Sequence, residues 1–174
     1  MAEAEPRLQV QTALVRAAVV LALVHARQQP AVDLARYAGK WYEIAAFPMF
    51  FQRNCVGDTT AEYALRPDGD ISVRYRCRTE DGFDEATARA WAVEGGGNAR
   101  LKVSFFWPFR ADYWVIGLDA DYRWAVVGNP NRKYLWVLSR TPRLPKEQLD
   151  RALQAAASQG FDLSRLEYTG HGRE

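Results

Sequence analysis

From Trp41 to Arg140 apolar and polar residues alternate in run after run, the period-two pattern of strands buried on one face. Thr59, Ala61, Tyr63 and Leu65 alternate with more polar neighbours. The stretch RPDGD follows, with the Pro-Asp-Gly chemistry of a tight hairpin. Ile71, Val73, Tyr75 and Cys77 then alternate with Ser72, Arg74, Arg76 and Arg78. Centring the turn pairs Tyr63 with Val73 and Thr59 with Cys77. Further runs are EATARAWAV, RLKVSFFW, YWVIGLD, RWAVV and KYLWVLSR, separated by the turns EGGGN, PFRAD and GNPN. With GKWYEIAAFP ahead of them, about eight strands succeed one another with no helix between.

Strands joined in this way either expose two raw edges or close on themselves. The expected fold is therefore all-β: an eight-stranded antiparallel up-and-down β-barrel with one C-terminal α-helix packed outside. That helix is expected over Pro145 to Gln159, where Leu149, Ala152, Leu153 and Ala156 form one apolar stripe. Pro145 suits its first position and Gly160 the residue past its end. A last short strand, LEYTG, follows. The barrel domain is expected over residues 32–169, one domain in a chain of 174.

At eight strands a barrel is just wide enough for side chains or one small ligand. Alanines at 86, 88, 90 and 92 point to the second filling if they face inward. Facing outward beneath the helix is the other arrangement, but it would turn Glu85 and Arg89 into an apolar interior, which is costly. The inward set expected to line a ligand cavity is Ala61, Tyr63, Val73, Tyr75, Ala88 and Ala90. It continues with Val103, Phe105, Tyr113, Val115, Val126, Trp136 and Leu138. The set is largely apolar, with a few phenols able to orient a polar group.

Residues 1–26 read differently. Arg7 and Arg16 precede the apolar run AAVVLALV, and VHA offers a small-x-small site, so a secretory signal cut after Ala26 is expected. The run is shorter than the ~20 residues a spanning helix needs. An amphipathic helix of a cytosolic protein is the alternative. No cysteine follows the apolar core, so a lipid anchor at that site is not expected. With export, Cys55 and Cys77 are expected to form one disulfide rather than stand as two separate buried thiols, Gly57 being able to supply the bend that pairing needs.

Alternating turns bring the beginning of the first strand, the segment DADYR and the end of the last strand to the same end of the barrel. Gly39, Trp41, Asp121, Tyr122 and Arg140 should meet there. An indole under a guanidinium gains ~0.5–2 kcal/mol and would plug the floor, with Asp121 offering a carboxylate to nearby donors. At the open end, Phe50, Phe51, Trp107 and Phe109 stand beside Arg53, Arg110, Arg132 and Lys133. Ordinary packing among loop aromatics would also account for them.

Three motifs in order carry a resemblance: GKWYEIA, DADYR and LSRTP with Arg140. The chain resembles the lipocalins, especially bacterial outer-membrane members and apolipoprotein D, over roughly Val32 to Tyr168. The resemblance implies a hollow calyx that carries or stores a fatty acid or lysophospholipid for the cell envelope. It also implies residence in the periplasm or at the outer membrane, with peripheral contact to that membrane. Oligomeric state is left open, a dimer across the rim included.

Other function classes find less in the sequence. A net charge of +2 and alternating arginines give no basic groove, so no nucleic acid is expected. The two histidines are His25, in the presumed signal, and His171, in the tail. That leaves no Ser-His-Asp or Cys-His arrangement, histidine-ligated haem or His-rich metal site in the barrel; neither enzyme nor cofactor is expected. Two readings compete with the lipid carrier: a pigment or apolar-metabolite carrier without histidine ligation, and an interaction module with a filled barrel.

Overall fold

The computed structural model describes Gln29 and residues 31–172, so the expected secretory segment lies outside the described residues. A short helix, α1 (Leu34–Tyr37), leads into β1 (Gly39–Ala46). Asp33 caps α1, its Oδ1 accepting from the backbone N–H of Ala35 and Arg36 at 3.0 and 3.2 Å. A hairpin follows, β2 (Gly57–Leu65) and β3 (Ile71–Thr79), then β4 (Gly82–Ala92) and β5 (Arg100–Phe106). The barrel continues with β6 (Phe109–Leu118), β7 (Trp124–Gly128) and β8 (Leu135–Ser139). After it come α2 (Lys146–Ala157) and a two-residue β9 (Glu167–Tyr168).

Each strand from β2 to β8 pairs antiparallel with the next, β8 pairs with β1, and β1 pairs with β2, which closes the cylinder. Tyr63 faces Val73 as the hairpin chemistry dictates, but a bulge between Gly57 and Thr60 ends that register, and Gly57 pairs with Arg78. The bend brings Cys55 to Cys77, and the two form a disulfide.

The closure is incomplete along its length. β1 pairs with β2 only over Gly39–Tyr42, and against β8 it bulges between Glu43 and Ala45. Above that point β9 takes the edge β2 leaves free, Tyr168 pairing with Ala45 and Glu167 with Ala46. Residues 169–172 carry on across the gap. Thr169 donates its N–H to Ile44, Asp58 donates to the Gly170 carbonyl, and Gly172 donates to Asp58 Oδ1.

Two apolar clusters lie on opposite faces of the wall. One fills the lower interior around Trp41, Tyr63, Ala90 and Leu101. The other lies outside, where Ala152 and Ala156 of α2 pack with Ile116, Trp124, Val126 and Val137. A Cβ added to Gly117 would sit 3.0 Å from Ala155 Cβ, so the glycine sets how closely α2 approaches. Pro145 stands one residue earlier than expected, as the cap preceding Lys146. The alanine row of β4 is split: Ala88 and Ala90 are buried in the interior cluster, whereas Ala86 and Ala92 are exposed.

Candidate functional site

The floor is built around one guanidinium. Arg140 lies 3.8 Å over the Trp41 ring, while Trp41 Nε1 donates to the Tyr37 carbonyl at 2.8 Å. Arg140 also donates to the carbonyls of Arg36 (2.6 Å), Lys40 (3.1 Å), Tyr37 (3.2 Å) and Tyr122 (3.3 Å). A planar fork of donors suits this job where a lysine would reach one partner at a time. Gly39 stands at φ +97°, and a Cβ there would lie 3.3 Å from Arg140 Nη1. Conformation and space thus both call for glycine two residues ahead of the tryptophan.

Tyr122 and Arg140 therefore share the floor with Gly39 and Trp41, but Asp121 does not. Its side chain is 76% exposed, with only a 3.8 Å contact to Arg123. Asp119 is the carboxylate turned inward. It accepts from Arg123 Nε and Nη2 at 2.7 and 3.0 Å, and from the backbone N–H of Asp121 and Arg123. Those donors, the Arg123 side chain first, hold its pKa below the usual carboxylate value. The turn decides this, because Tyr122 adopts φ +58° and Asp119 N–H bonds the Trp124 carbonyl, which folds Asp119 under the loop.

Above the floor is a cavity of about 390 Å³, open at the end away from Arg140. That size falls in the usual range for small-molecule sites. Ala61 and Tyr63 from β2, and Val73 and Tyr75 from β3, line one side. Val103, Phe105, Tyr113, Trp136 and Leu138 line the other. Ala88, Ala90 and Val115 are in the packed interior below rather than on the open cavity. Val126 faces the other way and packs in the outer cluster with α2. A bulge between Val115 and Gly117 shifts the β6–β7 register, and Ala125 and Val127 are the residues of β7 that face inward.

The mouth is aromatic. Phe51 reaches across it, its ring 5.8 Å from Phe105 and 6.4 Å from Tyr75. Phe106, Trp107 and Phe109 stand exposed on the β5–β6 hairpin. Of the four rim cations expected, Arg110 alone lines the cavity, its guanidinium 6.0 Å from the Trp107 ring. Arg132 instead donates to the Gln159 carbonyl at 2.6 Å, near the carbonyl end of α2, where a cation is favoured. Arg53 lines a separate lateral crevice of about 490 Å³ between the β1–β2 loop and the tail. Lys133 is exposed, its backbone N–H bonded to Asn131.

Glu43 stands between the two hollows and lines both. It is 7% exposed, and its carboxylate accepts from Gln52 Nε2 (2.8 Å) and Thr169 Oγ1 (2.7 Å). Gln52 also bonds the Tyr75 hydroxyl. Burial, outweighing these bonds, raises the Glu43 pKa. The His171 side chain is buried too, its Nε2 2.7 Å from the Glu43 carbonyl oxygen and its ring 5.4 Å from that of Tyr42. Sequence reasoning left both the Glu43 cluster and the tail out of the site. The alternation placing Glu43 on the face of Trp41 was visible, but its partners come from 9 and 126 residues away.

A family model described as a lipocalin-like domain matches residues 32–171. The outer membrane lipoprotein Blc of Vibrio cholerae is 43% identical over 139 residues, covering 78% of this chain and 81% of that protein. Temperature-induced lipocalin-1 of Arabidopsis thaliana is 40% identical over 147 residues, covering 79% and 78%. Among solved structures, insecticyanin from the tobacco hornworm Manduca sexta superposes with a TM-score of 0.69 at 20% identity, covering 85% of each chain. At that identity the likeness is one of fold.

Proposed function

Since this chain belongs to the lipocalin-like family, whose members bind small hydrophobic ligands, we propose that it carries or stores a fatty acid or lysophospholipid for the cell envelope. The observation that carries the reading is the cavity itself, an apolar and aromatic hollow above a sealed floor with one cation at its mouth. An acyl chain placed inside removes its surface from water at ~25 cal/mol per Å². Its carboxylate or phosphate remains near Arg110. The exposed Trp107, an apolar ring with an N–H edge, suits the interfacial region of a bilayer, and the exposed Phe106 and Phe109 beside it add apolar surface to the same mouth. This supports loading and release in peripheral contact with the outer membrane. The relatives named outer membrane lipoproteins support export to the envelope for this chain.

We read the role as binding, the role general to the family this chain belongs to.

The test is displacement of a fluorescent fatty acid by unlabelled fatty acids and lysophospholipids, in wild type and Val103→Trp. Wild type should bind saturably. The variant, with an indole in the cavity, should lose about tenfold or more in affinity while melting as wild type does. A wild type that binds neither lipid class refutes the reading.

A further inference from the structure

The sealed end of the calyx is not apolar throughout. Three phenols meet there: the Tyr113 hydroxyl lies 2.7 Å from that of Tyr37 and 2.9 Å from that of Tyr63. Tyr37 belongs to the floor, its ring 5.1 Å from that of Trp41, and Tyr63 pairs with Gly39. Burial pushes all three pKa values up, that of Tyr63 to about 12, so each hydroxyl keeps its proton.

Three hydroxyls carry three protons, and the two contacts among them use two. Whichever way the chain of bonds runs, one O–H is left without a protein acceptor among the described residues. Tyr63 and Tyr113 line the cavity, and the spare O–H lies on one of these two in every arrangement but the one in which Tyr63 donates to Tyr113 and Tyr113 to Tyr37. An acceptor oxygen in the cavity selects the others. Around them Val73, Val103, Trp136 and Leu138 supply only apolar surface, apart from the indole edge. A ligand ending in a methyl group would cover that hydroxyl and leave it unpaired, the costly case for a buried donor.

The oxygen that pairs with it should be neutral. The charged residues on the cavity wall are Glu43, Asp112 and Arg110. The cation on the wall belongs to the hairpin at the mouth. The floor's own cation, Arg140, does not line the cavity and is already committed to four backbone carbonyls, so a carboxylate pushed to the floor would be desolvated with no cation free to pair with it. Resting on the carrier reading above, we propose that Tyr63 and Tyr113 form a subsite for a neutral oxygen at the buried end of the ligand. The calyx then selects acyl amphiphiles that are anionic at the mouth and hydroxylated or carbonyl-bearing at the far end of the chain.

The experiment compares an even-chain ladder of fatty acids with their ω-hydroxy counterparts, by displacement of a fluorescent fatty acid from wild type and from the Tyr63→Phe/Tyr113→Phe double variant. At the chain length that spans the calyx, wild type should bind the ω-hydroxy acid about tenfold more tightly than the parent acid. The double variant, which keeps both rings and removes both cavity-lining hydroxyls, should bind the two alike. Parent acids that bind without any ω-hydroxy preference at any length overturn the subsite and leave the carrier reading standing. A preference that survives in the folded double variant overturns the assignment to these tyrosines. Should the double variant not fold, the wild-type ladder alone decides. Binding of neither series removes both proposals.

Discussion

Two aspartates two residues apart show how much a single turn decides. DADYR was readable as a floor segment, and the meeting of Trp41 with Arg140 follows from turns that alternate between barrel ends. Which carboxylate turns inward did not follow, because it depends on the positive φ of Tyr122, which no side-chain pattern announces. Asp119 receives four hydrogen bonds and Asp121 holds one long contact with Arg123. Asp119→Asn would replace an acceptor oxygen with an amide facing the half-exposed Arg123, and should cost ~1–2 kcal/mol in urea melts. Asp121→Asn should stay within ~0.5 kcal/mol of wild type. Equal costs for the two would mean that the turn, rather than its carboxylate, carries the stability.

Among the elements, legibility tracked how many faces a strand buries. β2 and β3 have one wet face, so Val73 and Tyr75 announced their direction through arginine neighbours and Tyr63 through Glu62. β7 is buried along its whole length, with the calyx on one side and α2 on the other. Its sequence WAVVG carries no alternation to read, which is why Val126 looked inward and lies outward. The disulfide is the other element-scale device. It fastens the end of the β1–β2 loop, which carries Phe51 and Gln52 into the mouth, to β3. Closing a loop with a sequence separation of 22 removes about 3 kcal/mol of unfolded-chain entropy. Cys55→Ser with Cys77→Ser should lower unfolding free energy by about that amount and weaken lipid binding along with it. A loss under about 1 kcal/mol would show that the loop is held without its bridge.

For the whole molecule, three acids shifted by their surroundings set a pH profile with two limbs. Glu43 has a folded-state pKa above its ordinary 4.5, so folding favours its proton. The stability this gives is fully present below pH 4.5 and is lost as pH rises through the folded-state pKa. Asp119 and Asp58 work in the opposite sense, with pKa values below 3.8. Their contribution is present above pH 3.8 and lost as pH falls through the folded-state pKa. Wild type should therefore be less stable at about pH 8 than at about pH 5, and Glu43→Gln should shrink that difference in paired urea melts. A variant with the wild-type slope would take Glu43 out of the account. Glu43 is also where the tail is tied, and that tie bears on how the molecule comes into being. Residues 167–172, which stitch β1 and Asp58 together, lie C-terminal to every other strand and helix of the domain. A chain emerging from its N-terminus can complete all eight staves and still be a split cask, greasy inside and open sideways. Its last hoop is slipped on only when the final residues of the domain arrive.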